Sequence, residues 1–198
     1  MGTGHPSTRQ VLAVALTAIF VVLLPVVYVG ILNSALRRQS FQFNEGWRES
    51  RFLEGWRFVA NVPTNGSLEV DGNATLTIRA PYPLGPGSEL TAQRTSLPSI
   101  DFGTYRYLVV SVRVPSFFVA ARVVLWISAE TAILVLLKTY ADNEWHREVV
   151  DLHLFGIGSR SPLYLLELSV LVVERPTSTE TVAMYRDLFF GKIEGGVG

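Results

Sequence analysis

The chain has 198 residues, 17 basic and 17 acidic side chains, a net charge of zero and no cysteine. Balanced charge removes the electrostatic footprint on which nucleic-acid binding depends. The missing cysteine excludes disulfides, thiolate catalysis, thiolate-bound zinc and iron–sulfur clusters.

Residues 1–10 form a short polar lead carrying Arg9. Residues 11–33 read as an uncleaved signal anchor. The run VLAVALTAIFVVLLPVVYVGIL within them has no charge, and its roughly 22 residues make a helix of about 33 Å, enough for one passage through a hydrocarbon core of about 30 Å. Pro25 is compatible with a membrane helix, and Tyr28 and Gly30 beside it suit contact with another membrane helix. Arg37, Arg38, Arg48 and Arg51 follow the anchor, and the positive-inside rule alone would place what comes next in the cytoplasm. Two features oppose that. Asn65-Gly66-Ser67 and Asn73-Ala74-Thr75 fit the N-glycosylation acceptor pattern, and long β-rich domains translocate largely regardless of flanking charge. The expectation is a single-pass protein of the cell membrane, N-terminus cytoplasmic and C-terminal domain extracytoplasmic, with Asn65 and Asn73 as glycosylation sites.

Residues 34–58 form a juxtamembrane segment in which Glu-Gly-Trp-Arg occurs twice, from Glu45 and from Glu54. Phe41, Phe43 and Trp47, interleaved with arginines, suit a membrane interface, where rings sit at headgroup level and guanidinium groups reach phosphates. The same aromatics would equally seal the base of a domain, and both readings stand.

From residue 59 to 194 the signals are β, with a tail at 195–198. Residues 74–80 alternate, with Ala74, Leu76 and Ile78 on one face. Residues 81–87 are a proline- and glycine-rich loop, the start of a long connection reaching residue 99. Residues 105–114 alternate again: Leu108, Val110, Val112 and Val114 point inward, Tyr105, Tyr107, Ser111 and Arg113 outward. On the next strand Val123, Leu125 and Ile127 point inward, leaving Arg122, Trp126 and Ser128 outside. Residues 133–140 are apolar on both faces at first, as expected of a central strand covered on both sides. Residues 145–154 send Val150, Leu152 and Leu154 inward and Trp145, Arg147 and Asp151 outward. Residues 164–172 expose Glu167 and Ser169, and residues 182–190 close the domain. Seven or eight strands with little helical pattern predict an all-β, antiparallel, jelly-roll-like β-sandwich behind one transmembrane helix.

The order Ile100-Asp101-Phe102-Gly103-Thr104-Tyr105-Arg106-Tyr107-Leu108, Trp126 on a following strand, Glu144-Trp145-His146-Arg147-Glu148-Val149-Val150-Asp151-Leu152, and Tyr185-Arg186-Asp187-Leu188-Phe189-Phe190-Gly191 resembles the jelly-roll domains of the galactose-binding-like and carbohydrate-binding-module type. The likeness covers about residues 61–193 and is a pattern of strands. It implies that the aspartate matching Asp187 helps hold a structural calcium ion, for which the start of the domain offers only Glu69 and Asp71 as further carboxylates.

No catalytic constellation emerges. His146 and His153 fall on opposite faces of one strand and cannot chelate a metal together. Asp142, Glu144 and Glu148 read as a solvated turn rather than the two acids a glycosidase needs across a cleft. Gly156-Ile157-Gly158-Ser159 lacks the lysine and helix of a phosphate loop. The reading is therefore no enzyme and no cofactor. The candidate surface is the outward sheet face with Tyr105, Tyr107, Arg113, Arg122, Trp126, Trp145 and Arg147, whose aromatics and guanidinium groups suit a glycan or a protein partner, or pack the scaffold. Three functions compete: a non-catalytic binding or accessory subunit of a membrane or envelope assembly, touching lipid and other protein subunits; a membrane-tethered carbohydrate-binding module; and a pilin-like filament subunit.

Overall fold

The computed structural model describes residues 31, 34–43, 55–71, 75–95, 97, 100–115, 119–137, 142–158, 162–174 and 180–194. The chain divides into two compact units, Met1–Gln39 and Ser40–Gly198. In the first, residues 34–36 are helical, and the turn closes with Arg38 N–H on the Ala35 carbonyl (3.2 Å) and Gln39 N–H on that of Leu36 (3.0 Å). The apolar run 11–32 lies outside the described residues apart from Ile31. Among the described residues no helix is long and apolar enough to cross a membrane.

The second unit is an all-β antiparallel sandwich. Its strands are β1 (Phe41–Phe43), β2 (Trp56–Ala60), β3 (Ser67–Val70), β4 (Leu76–Ala80), β5 (Glu89–Arg94), β6 (Tyr107–Arg113), β7 (Val119–Trp126), β8 (Ala132–Leu136), β9 (His146–Asp151), β10 (Leu165–Val172) and β11 (Thr181–Ile193). The first sheet runs β3-β4-β11-β6-β9, with β1 added to the second half of β11; the second runs β2-β5-β10-β7-β8. The inner faces meet in one core. Leu76, Ile78, Leu108, Val110, Val112, Tyr185, Leu188 and Phe190 come from the first sheet, and Leu90, Ala92, Val123, Leu125, Leu166, Leu168 and Val170 from the second. Period-2 alternation puts these residues on one side of each strand, except in β11, where an irregularity between Arg186 and Phe189 separates Tyr185 from Leu188 by three. Two contacts order the core: Phe102 meets Phe190 edge-on (5.4 Å, 76°), and the Tyr185 hydroxyl crosses the sandwich to donate to the Ser169 carbonyl at 2.6 Å.

Several expectations change. The described part of 133–140 is not a central strand: β8 (Ala132–Leu136) is the edge of the second sheet, with Leu134 and Leu136 exposed, and residues 138–140 lie outside the described residues. Apolar residues on both faces arise equally from burial and from an uncovered outer face, and sequence alone does not separate the two. The connection 81–99 contains a strand, β5, bonded to β2 on one side and β10 on the other. The domain also begins earlier than residue 59, because β1 and β2 belong to it. Leu154 does not face inward; β9 ends at Asp151 and a 3₁₀ turn, Leu152–Phe155, turns Leu154 out.

Candidate functional site

The outward residues divide between two faces on opposite sides of the sandwich. Tyr107 and Arg113 lie on β6, with Trp145 and Arg147 on and just before β9, all on the outer face of the first sheet. Arg122 and Trp126, on β7, occupy the outer face of the second. Alternation separates inside from outside, but which sheet owns a strand is decided by long-range pairing. Tyr105 joins neither face, because it precedes β6 and packs against the core.

On the second sheet Arg122 is occupied. It pairs with Glu89, donates to Ser169 Oγ at 3.2 Å, and lies over a serine with no exposed surface. Beside it Gln93 donates to Glu167 at 2.7 Å. Trp126 is half-buried, and its indole nitrogen is buried without a hydrogen-bond partner among the described residues. These groups tie strands together.

On the first sheet's outer face Val109, Ser111 and Val149 are buried, and Asp187 stands exposed. The centre of this face is a bulge in β11, where Arg186 stands opposite Ser111 and pairing resumes with Phe189 opposite Val109. Two residues occupy the space of one, and Asp187 takes a left-handed backbone conformation (φ 52°), costly for a non-glycine side chain and best tolerated by Asp or Asn. The bulge swings Asp187 onto the outer face. Its carboxylate accepts from Ser111 Oγ at 2.9 Å and sits 3.4 Å from Arg186 Nε, while the side chain stays 54% exposed. Arg186 then lies 4.2 Å over the Trp145 ring. Ser111, Trp145, Arg186 and Asp187 thus converge, with Arg147 opposite Ser111 on β9 and Arg113 donating to Asn143 at 2.9 Å. Alternation placed Ser111 outward, but neither it nor Arg186 was included in the candidate surface, though a signal for the bulge was there: inward Tyr185 and Leu188 are three apart, an odd spacing that straight alternation forbids.

Towards the base of this face Phe41 meets Tyr107 edge-on (5.5 Å, 64°), and Arg147 lies 5.3 Å from the Phe41 ring. Phe41 is 8% exposed, packed against the end of the first sheet. Phe43 lies on β1, and Trp47 falls outside the described residues. Asn65 is exposed, its N–H reaching the Tyr82 hydroxyl at 3.3 Å; Asn73 lies outside the described residues.

The acidic groups do not face one another across a cleft. Asp142 and Glu144 sit in an exposed turn, and Glu148 is buried on the inward side of β9 opposite Val110. Asp142 is held below the usual carboxylate range by the Glu144 N–H and then by His146, whose ring nitrogen is 2.8 Å away. Asp151 binds Arg106 through both carboxylate oxygens and raises the guanidinium pKa, chiefly through that hydrogen bond. His153 reaches the Phe102 carbonyl at 3.2 Å instead of approaching His146. Among the described residues no three His, Asp or Glu side chains gather in a way that would hold a metal ion. The Asp187 carboxylate, the calcium candidate, is already engaged by Ser111 and Arg186.

No protein-family model and no curated protein matches the sequence. Among solved structures, the fold is similar to the family 11 carbohydrate-binding module of a cellulosomal cellulase, Lic26A-Cel5E, of Clostridium thermocellum, at 6% identity and a TM-score of 0.49, over 80% of this chain and 99% of that one. It is also similar to TmCBM61 in complex with β-1,4-galactotriose, at 13% identity and 0.43, over 76% and 97%. A third similarity is to the glycoside hydrolase domain of Endo-D from Streptococcus pneumoniae R6, at 10% identity and 0.46, covering 67% of this chain and 22% of that one.

Proposed function

We propose that this chain is a non-catalytic carbohydrate-binding β-sandwich, tethered by residues 11–32 to a membrane and displayed on its extracytoplasmic side. The observation that carries the reading is the β11 bulge. It spends backbone strain to hold an exposed carboxylate beside a serine hydroxyl, a guanidinium group and an indole on the outer face of the first sheet. Strain of this kind persists where it re-aims a side chain for use. Carboxylate and guanidinium groups supply paired acceptors and donors for vicinal hydroxyls, and the aromatic edge supplies the apolar surface against which sugar C–H groups lie. With no two carboxylates set across a cleft among the described residues, retention of a glycan is the chemistry this surface can perform.

A glycan array probed with the full chain in mild detergent tests this. Trp145→Ala and Asp187→Asn, the latter keeping a residue that tolerates the left-handed backbone while removing the charge, are expected to abolish the signal while leaving the thermal unfolding transition in place. Binding that survives both replacements would overturn the reading.

A second reading is favoured by a different observation. Leu134 and Leu136 stand exposed on the edge strand β8, where isolated proteins usually place charges or proline. An accessory subunit covering that edge with a partner chain explains them. Under this reading a chain co-purifies in mild detergent and is lost when both leucines become glutamate; migration as a lone monomer counts against it.

A further inference from the structure

The chain enters the sandwich at Ser40, whose carbonyl accepts from Glu194 N–H at 3.0 Å, so β1 lies along the last residues of β11. At that same end Tyr107 stands opposite both Gly191 and Asp151, and the 3₁₀ turn Leu152–Phe155 follows directly. The turn is firmly built. Asp151 caps it by accepting from His153 N–H at 3.1 Å, Leu152 N–H reaches the Arg106 carbonyl at 3.0 Å, and Gly156 closes it in a left-handed conformation (φ 76°). Leu152 and Ile157 are both sunk into the core. The backbone between these anchors has no choice but to present Leu154 and Phe155 outward, 65% and 44% exposed. The connection ends at Tyr164, 62% exposed, whose N–H bonds the Trp126 carbonyl at 2.7 Å just before β10 begins.

Scattered single apolar residues on a surface call for no explanation, but three large ones on one short connection do. Their place on the chain says what covers them. Seven residues, 33–39, separate the apolar run from Ser40, and fully extended they span at most about 25 Å. The apolar run is thus joined covalently to this end of the sandwich by a link of at most that length, whereas the Gly85-Pro86-Gly87 turn is at the opposite end of the strands. We propose that Leu154, Phe155 and Tyr164 form a second membrane contact: the two apolar side chains enter the acyl boundary and the tyrosine sits at headgroup level, laying the base of the sandwich on the lipid surface. This rests on the tethered reading above. Two attachments instead of one fix the domain's orientation, so that the sheet faces stand along the membrane normal.

The absence of native cysteine gives a clean test. Full-length L154C and P86C are each labelled with a polarity-sensitive fluorophore and reconstituted into phosphatidylcholine vesicles. Both are expected to float with the vesicles. The label at position 154 is expected to lose most of its emission to a lipid-borne nitroxide and to be shielded from aqueous iodide, and the label at position 86 to behave in the opposite way. A label at 154 quenched by iodide as fully as that at 86 overturns the contact while leaving the tether intact. A label at 154 shielded from both quenchers overturns it in favour of contact with a second protein copy. Failure of both variants to float overturns the tether and the contact with it.

Discussion

Tyr185 carries more of the core than its size alone accounts for. It is fully buried, and its hydroxyl bonds a backbone carbonyl of the opposite sheet at 2.6 Å. Tyr185→Phe is expected to cost about 1–2 kcal/mol, because the ring still packs but the Ser169 carbonyl is left without that donor in a site water does not reach. Urea unfolding at neutral pH measures this. Burial also pushes the phenol pKa well above its ordinary value. Above pH about 10 the unfolded chain releases this proton while the native chain keeps it, so the residue's contribution to stability falls as pH rises. The alkaline side of the stability profile is expected to be shallower in Tyr185→Phe. Asp142 has the opposite sign. Its native pKa is depressed by the Glu144 N–H and by His146, so its contribution is present above the usual carboxylate range and is lost as pH falls through the native value. Asp142→Asn is expected to remove that part of the acid-side loss, read as a flatter dependence of the unfolding midpoint on pH in the acid range.

At the scale of elements, strands were legible where apolar and polar residues alternate in the sequence: β4 and most of β7 and β10 alternate in burial as well, whereas β6 alternates in sequence yet is buried on both faces from Leu108 to Val112. β5 was not legible, because Thr91 is buried on its outer side and Arg94 on its inner side, so its pattern shows no apolar stripe. β2 was hidden by its aromatics and arginine, which suit an interface as well as a strand. The site was half legible for a related reason. Periodicity identified Trp145 and Arg147 as outward but mixed them with Arg122 and Trp126, and nothing local told β7 from β6 or β9. Two predictions belong here. Leu134→Lys and Leu136→Lys are expected to change stability by less than about 0.5 kcal/mol, since both side chains are already in water. Val135→Lys, which turns a charge into the core, is expected to prevent folding; chemical denaturation of the three variants separates them. Gly191 is tightly enclosed: an added Cβ would lie 3.1 Å from the Phe189 ring, 3.3 Å from the Gln42 carbonyl and 3.3 Å from Phe41 Cβ, so these neighbours would have to give by a few tenths of an ångström. Two of those neighbours belong to β1, so Gly191→Ala is expected to loosen β1, with faster amide exchange at residues 41–43 and unchanged protection in β9.

For the molecule as a whole, the last strand is the one on which both the sheet and the site depend. β11 pairs with β4 through its first half, with β1 through its last residues and with β6 along most of its length. It also supplies Tyr185, Leu188 and Phe190 to the core, and Arg186 and Asp187 to the outer face. The first sheet consequently cannot close until the C-terminal segment is made and has found partners from the opposite end of the chain, residues 41–43 against 191–193. Pairing so distant in sequence is slow, and it leaves β4 and β6 as bare edges until it is complete. Removing residues 188–198 takes away Leu188 and Phe190, strips β1 of its only described partner strand, and uncovers the lower half of β6. Each buried side chain lost costs several kcal/mol, and a domain of this size holds only about 5–15 kcal/mol in total. The truncated chain is expected to show no cooperative thermal transition and no near-ultraviolet circular dichroism. A variant ending after Ile193, which keeps every β11 pairing, is expected to unfold in one step like the full chain. A cooperative transition in the chain ending at 187 would show instead that the second sheet, with β2, β5, β10, β7 and β8, is stable without its partner.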